Sequence, residues 1–127
     1  MAIKIASMRD HTKLHAFRLA DRLAVVIYQH TRSFPRDEQF GLTSQIRRAA
    51  VSTASNIVEG CARESLADYL RFLDMAYSSA REVEYQVSLS QRLGYLQEPE
   101  AKELQQLTAE TCKVLNGLIR ALRKTEE

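Results

Sequence analysis

Residues 40–60 read FGLTSQIRRAAVSTASNIVEG, and the prediction of the fold starts from this stretch. Its apolar residues recur with the spacing of one face of an α-helix. The pattern predicts a helix from about Leu42 to Glu59. Its apolar stripe consists of Leu42, Ile46, Ala49, Ala50, Thr53 and Ile57. Gly60 is predicted to end this helix, because glycine adopts the left-handed conformation without a Cβ clash.

Upstream of this segment, helical periodicity predicts a first helix over residues 10–32. Asp10 fits its N-cap, since a carboxylate can accept from the unpaired amides of the first turn. Pro35 breaks the pattern, because proline lacks the amide that a helix interior needs. Phe34 and Phe40 flank this break, and we expect both rings to cover one end of the folded domain.

Downstream, two more helices are predicted over residues 65–93 and 99–124. Ser65 fits the N-cap of the third helix, and Gly94 fits its end. Pro99 fits the first turn of the fourth helix. The third helix has a second apolar flank beside its core stripe, so we expect it to contact a neighbouring copy as well. That flank consists of Phe72, Met75, Leu89 and Leu93.

Four helices with mostly short connections predict an all-α, up-down-up-down antiparallel four-helix bundle. We expect one domain over residues 1–127, with loose tails before the first helix and after the fourth. Four glycines and two prolines in 127 residues argue against β-sandwiches and barrels, which need many turns.

The charge of the chain is balanced overall but split along its length. Lys and Arg number 18 and Asp and Glu 16, which gives a net charge of +2. Residues 1–48 carry nine basic and four acidic residues, a net charge of +5, and residues 49–127 carry nine and twelve, a net charge of −3. A chain of this kind can present one positive surface while it stays nearly neutral.

Two cysteines, Cys61 and Cys112, lie far apart and form neither a disulfide framework nor a zinc motif. Free thiols are typical of the reducing cytoplasm, which is the expected location. The longest apolar run, residues 23–28, is too short for a membrane span, so no membrane partner is expected.

Sequence motifs for catalysis are lacking, and the expectation is a protein that is not an enzyme and has no cofactor. There is no Gly-x-Ser-x-Gly elbow, no glycine-rich phosphate loop and no Glu-x-x-His pair. His11 and His15 have the spacing of two metal ligands on one helix face. No outer ligands can be named, so solvated histidines are the favoured interpretation and a metal-binding bundle is the minor one.

Arg47 and Arg48, together with Arg18 and Arg22 on the first helix, are the strongest electrostatic feature. One interpretation is a surface that contacts phosphates, where each cation gains from counterion release. The other is that Arg48 forms an ion pair with Glu59 or an acid of the third helix, while the remaining arginines are solvated.

Polar residues form a second stripe on the predicted second helix. The hypothesis for this stripe is a buried hydrogen-bond network that fixes the register of the helices, because buried polar groups must be paired. Its members are Gln45, Ser52, Asn56 and Glu59.

Residues 40–60 also resemble the signature of the "four helix bundle protein" family, which is also called the 23S rRNA intervening-sequence protein family. The resemblance extends upstream to residues 31–35 and downstream through residues 65–73 to Leu93-Gly94-Tyr95-Leu96. Its structural signature covers Gln45, Ser52, Asn56, Glu59, Gly60, Glu82 and Glu84. The chain departs from the family at Thr53-Ala54, where Ile-Pro is usual, and at Tyr77, where glycine is usual.

The resemblance implies a four-helix bundle that assembles into a ring-like homopentamer and does not imply an enzyme. The accessory variability protein of diversity-generating retroelements is similar in fold, and it binds nucleic acid and a reverse transcriptase through a basic surface. By that analogy, the candidate nucleic-acid-binding residues here are Arg18, Arg22, Arg47 and Arg48. The leading hypothesis is an oligomeric scaffold or adaptor that binds RNA, DNA or a nucleic-acid-processing partner, and the alternative is a protein–protein interaction module.

Overall fold

A computed structural model describes residues 9–126 and their side chains through Thr125. Within this range the chain forms four α-helices and no strand. The helices are α1 (His15–His30), α2 (Leu42–Cys61), α3 (Leu66–Arg92) and α4 (Glu98–Glu126). Each helix packs against its two neighbours in the order α1, α2, α3, α4 and back to α1, which makes a four-helix bundle. The predicted N-terminal tail falls mainly on residues 1–8, which lie outside the described residues, as does residue 127. The predicted C-terminal tail begins too early, because α4 continues to Glu126.

The first helix begins later than the sequence pattern predicted. Asp10 does act as an N-cap, but its carboxylate accepts from the Thr12 amide at 3.1 Å and caps a short 3-10 turn over His11–Lys13. Leu14 is extended (ψ 125°) and buried, and α1 starts only at His15. The apolar periodicity of the sequence continues across this break, because the Leu14 side chain is still buried in the core. The sequence pattern alone therefore could not locate the break.

The ends of α3 follow their sequence signals. The Ser65 hydroxyl accepts from the Asp68 amide at 3.1 Å, as an N-cap does. Gly94 has a φ of +79° and follows the last turn, where its amide donates to the Gln91 carbonyl and the Tyr95 amide to that of Ser90. This pair of bonds is the Schellman arrangement, which satisfies carbonyls that would otherwise lack partners.

Gly94→Ala is expected to lower the free energy of unfolding by about 1–2 kcal/mol, because an alanine Cβ is disfavoured in the left-handed region. The strain is purely conformational, since no atom lies within 4 Å of the place where the Cβ would go. Urea unfolding of the variant and the wild type measures the difference. An unchanged midpoint would show that the turn relaxes to a negative φ.

Gly60 does not end α2, contrary to the sequence prediction. The helix continues to Cys61, and among the described glycines only Gly94 has a positive φ. A Cβ on Gly60 would lie 3.0 Å from the Phe72 Cβ and 3.4 Å from the Tyr69 carbonyl oxygen. Glycine is therefore needed here because α2 and α3 approach closely.

The core has two apolar clusters along the bundle axis. The cluster at the end with the α1–α2 connection includes Leu23, Ile27 and Ile46, and the other includes Leu73 and Leu115. The predicted stripe of α2 is entirely buried, and the helix runs unbroken through Thr53 and Ala54.

Burial changes the acid–base behaviour of Cys112 on α4. Its side chain is 7% exposed, and desolvation, assisted by nearby Glu84, raises the pKa of the thiol from 9.0 to about 11. A raised folded-state pKa means that the folded protein holds this proton more tightly than the unfolded chain. The protonated Cys112 thiol therefore stabilises the fold fully below its ordinary pKa. This contribution to the free energy of unfolding is lost as the pH rises through about 11.

We expect the free energy of unfolding to fall between about pH 9 and pH 11, and to fall less in Cys112→Ala. Comparing the fall within each variant removes the constant cost of the smaller side chain. Burial also raises the pKa of Tyr69, so part of the decrease should remain in the variant. Equal decreases in the two proteins would show that the Cys112 thiol does not contribute.

Candidate nucleic-acid interface

Arg18 and Arg22 lie one turn apart on the exposed face of α1. The Arg18 Nη2 donates to the Thr12 carbonyl at 3.2 Å, and Arg22 has no hydrogen bond or ion pair to any described residue. α1 thus presents both guanidinium groups to solvent.

Arg47 is held in place by groups from α1. Its Nε donates to the Thr31 Oγ1 at 2.8 Å, and its guanidinium lies 4.6 Å from the centroid of the Tyr28 ring. The Thr31 hydroxyl in turn donates to the Ile27 carbonyl at 2.7 Å. The planar guanidinium can stack and donate together, which a lysine ammonium cannot do. Arg47 is therefore positioned in advance of any ligand.

Arg48 is exposed, and it forms no ion pair within the described residues. The structure therefore does not contain the predicted pairing with Glu59 or with an acid of α3. Two acids of α3 have partners within that helix, since Glu84 pairs with Arg81 at 3.1 Å and Glu82 accepts from Gln86 at 3.3 Å.

Arg47 and Arg48 line one cavity of about 530 Å³ at the end of the α1–α2 face. No acidic side chain contributes to its walls, so it is electropositive. We call it the basic cavity, and its lining consists of Tyr28, Gln39, Phe40, Thr43, Ser44, Arg47, Arg48 and Val51. Arg18 and Arg22 are not among these residues, so the structure brings together two of the four predicted arginines.

Phe40 does not cover the end of the bundle, contrary to the sequence prediction. Phe34 does so and is 8% exposed, whereas Phe40 is 90% exposed. The cause lies in the α1–α2 connection, where the Glu38 carboxylate accepts from the Leu42 amide at 3.0 Å and from the Tyr95 hydroxyl at 2.9 Å. These bonds lower the pKa of Glu38 and fix the turn so that Phe40 points outward.

Thr43 also lines the basic cavity. The Thr43 Oγ1 is buried and has no hydrogen-bond partner. Sequence reasoning missed Thr43, Phe40 and Tyr28 as site residues, because they come from a helix, a turn and a second helix. The only signal was an aromatic residue seven positions before an arginine pair, which has no characteristic periodicity.

The predicted polar network is smaller than the stripe on α2 suggested. The Ser52 hydroxyl lies 2.9 Å from the Ser79 hydroxyl of α3, and the Asn56 Nδ2 donates to the Ser52 carbonyl at 2.9 Å. Both residues are half-buried, but Gln45 and Glu59 are exposed. They were wrongly assigned to a buried network because helical spacing does not distinguish a buried polar position from a solvent-exposed one.

The two histidines considered as metal ligands do not share a helix. His11 belongs to the 3-10 turn and packs edge-on against the Phe17 ring, 4.8 Å between centroids. His15 is the first residue of α1. Since extended Leu14 separates them, the spacing expected of a continuous helix does not apply. Residues 9–125 contain no group of three or more His, Cys, Asp or Glu side chains that could hold a metal ion.

Comparison with known proteins places this chain among sequences of one family. The family model of the 23S rRNA-intervening sequence protein matches residues 12–117. A solved structure from Bacteroides thetaiotaomicron, described as a protein of unknown function from the S23 ribosomal protein family, is similar in fold. It has a TM-score of 0.75 and 24% sequence identity, over 83% of this chain and 95% of that chain. No curated protein matches the sequence. No helix within residues 9–126 is long and apolar enough to cross a membrane.

Proposed function

This chain belongs to the 23S rRNA-intervening sequence protein family, and we propose that it is a non-enzymatic, cytoplasmic scaffold. The scaffold binds nucleic acid or a partner that processes nucleic acid. The proposal rests on the family membership and on the basic cavity. The observation that carries the proposal is the pair Arg47 and Arg48 in a cavity without acidic walls. Neither arginine has an ion-pair partner among the side chains of residues 9–125, and an unpaired cation is available to a phosphate, whose binding releases counterions.

The neighbouring surface supports a path for a longer polyanion. Arg32 lines a second, smaller cavity of about 260 Å³ that shares Tyr28 with the basic cavity, and it too has no acidic wall. Arg18 and Arg22 continue the positive charge along the exposed face of α1. These cations all come from residues 1–48, the positive part of the chain.

We propose further that the chain forms a ring-like homo-oligomer, with five copies as the family resemblance implies. An apolar groove between α1 and α2 supports a contact between copies. Its walls include Phe17, Ala24, Val51, Ala54 and Val58, and Val51 is 41% exposed. A ring requires one face to meet a different face of the next copy, and repetition would make the basic surface multivalent.

The second apolar flank of α3, expected to make this contact, is partly covered within the chain. Phe72 is buried beneath the guanidinium groups of Arg63 and Arg71, which lie 4.5 and 4.8 Å from its centroid. Met75 and Leu93 remain 37% and 49% exposed, so they offer less continuous apolar surface than the α1–α2 groove.

Val58→Glu is expected to convert the oligomer to smaller species, because a charge in an apolar contact must be desolvated without a partner. Met75→Glu is the matched control, since it places the same charge on an exposed apolar position of α3. Light scattering after size-exclusion chromatography gives the mass of each. If only Met75→Glu dissociates the oligomer, the contact lies on α3 and the α1–α2 groove is not used.

Fluorescence anisotropy tests nucleic-acid binding directly, with a labelled structured RNA and a duplex DNA at about 50 and 200 mM salt. We expect binding at the lower salt and a steep loss of affinity at the higher salt. Absence of binding to both probes at the lower salt would reject the nucleic-acid part of the proposal.

A protein–protein interaction module is the second candidate, and the α1–α2 groove is the observation that favours it. The walls of this groove are mostly apolar, and an amphipathic helix can lay its apolar face in such a groove. Such a module would capture its partner after nuclease treatment and with little dependence on salt.

A further inference from the structure

Phe40 is the most exposed large apolar side chain of the described residues, at 90%, and no described ring stacks on it. It stands beside the two arginines of the basic cavity. An exposed aromatic face next to cations is the combination by which proteins bind single-stranded nucleic acids, through base stacking and phosphate contacts.

We propose that the basic cavity holds one unpaired base of a single-stranded RNA or DNA, with the base stacked on Phe40 and an adjacent phosphate on Arg48. This inference rests on the proposed function and adds the class of nucleic acid that is bound. A volume of about 530 Å³ falls within the range of small-molecule pockets, roughly 300–1,000 Å³.

The other side chains of the cavity have distinct parts in this arrangement. Tyr28 already carries the Arg47 guanidinium on its ring at 4.6 Å, so that ring face is occupied. Phe40 is therefore the aromatic platform that remains available. Arg47, fixed by its bond to Thr31, forms a rigid cationic wall that can contact the sugar–phosphate chain.

Gln39 supplies a reason for a base rather than a phosphate alone to enter. It is exposed at the rim of the cavity, and its side-chain amide both donates and accepts hydrogen bonds, as the edge of a base does.

Charge distinguishes this cavity from the apolar α1–α2 groove and from the cavity beside Tyr95. Asp21 and Glu59 line the apolar groove. The cavity beside Tyr95 contains Glu100, whose Oε2 is buried without a partner and would repel a phosphate. The Glu38 carboxylate is close in sequence to Phe40, but it is bonded to the Leu42 amide and the Tyr95 hydroxyl and does not line the basic cavity.

The test compares three labelled probes of equal length by anisotropy: a uridine homopolymer, the same backbone without bases, and a blunt duplex. Phe40→Ala is expected to weaken binding of the homopolymer by roughly 5- to 150-fold, since stacking contributes about 1–3 kcal/mol per base. Binding of the abasic backbone and of the duplex should stay within about twofold of wild type.

Tyr85→Ala is the matched control, because Tyr85 is 60% exposed and has the Arg92 guanidinium 5.9 Å from its centroid. It should leave all three affinities unchanged. Arg48→Gln should weaken all three probes and reduce the slope of log affinity against log salt by about 1.

Three results would overturn the inference. If Phe40→Ala leaves homopolymer binding unchanged while Arg48→Gln weakens it, the surface contacts phosphates only. The proposed function then stands, and the proposal of a base in the cavity is wrong. If Phe40→Ala changes the mass of the oligomer, Phe40 belongs to a contact between copies. If the wild type binds none of the probes, the inference and the nucleic-acid part of the proposed function both fail.

Discussion

Replacing Arg18, Arg22 and Arg48 by Glu is expected to lower the affinity for structured RNA at about 50 mM salt on the order of 100-fold. The physical reason is electrostatic. All three side chains are exposed and form no ion pair with a described residue, so they are available to phosphates. Three lost phosphate contacts should also reduce the slope of log affinity against log salt by about 3. Anisotropy titrations at several salt concentrations measure both quantities.

The control for this experiment is a second triple variant with the same change in net charge. Lys113, Arg120 and Lys124 are exposed on α4, and they too lack ion pairs with described residues. Their replacement by Glu should have a much smaller effect, because they lie outside the α1–α2 face. Equal losses in the two variants would mean that binding follows net charge and uses no defined surface.

Gly60→Val is expected to lower the free energy of unfolding by at least about 2 kcal/mol, with Gly60→Ala in between. The Cβ of either variant would lie 3.0 Å from the Phe72 Cβ and 3.1 Å from the Tyr69 Cδ1. Both neighbours are buried, so α2 must move away from α3. Valine adds two methyl groups at the same place, which increases the overpacking. Urea unfolding monitored by circular dichroism gives the difference.

Gly117 provides the matched control within α4. It is exposed, and no atom lies within 4 Å of the place where its Cβ would go. Since glycine is the least favourable helix residue after proline, Gly117→Val and Gly117→Ala should raise the stability by a few tenths to about 1 kcal/mol. A stabilised Gly60→Val would mean that α2 and α3 do not approach as closely as the structure indicates.

Helix positions and core faces could be predicted from the sequence where local signals were strong. The whole stripe from Leu42 to Ile57 is buried, the Ser65 hydroxyl caps α3, and Gly94 closes α3 with a positive φ. Each of these signals acts between residues a few positions apart, so spacing alone reports it. The start of α1 was missed because Leu14 keeps the apolar period through a break in the helix.

The candidate site was predictable only in part, because its components come from different segments. Arg47 and Arg48 were identified as a pair, but the role of Phe40 was predicted wrongly. The turn that exposes it is fixed by a local bond of Glu38 to the Leu42 amide and by a bond to Tyr95, which is 57 positions away. No local pattern reports a contact of that kind.

Sequence patterns were enough to identify the family, the helical class and the residues that form each core face, because helical periodicity and capping are local properties of a chain. Contacts between distant segments set which positions have room for a side chain and which side chains are exposed. Close packing of α2 on α3 requires the glycine at position 60 and covers Phe72. The fixed turn before α2 turns Phe40 outward beside Arg48. Such properties depend on how distant segments fill one space, which sequence spacing does not encode.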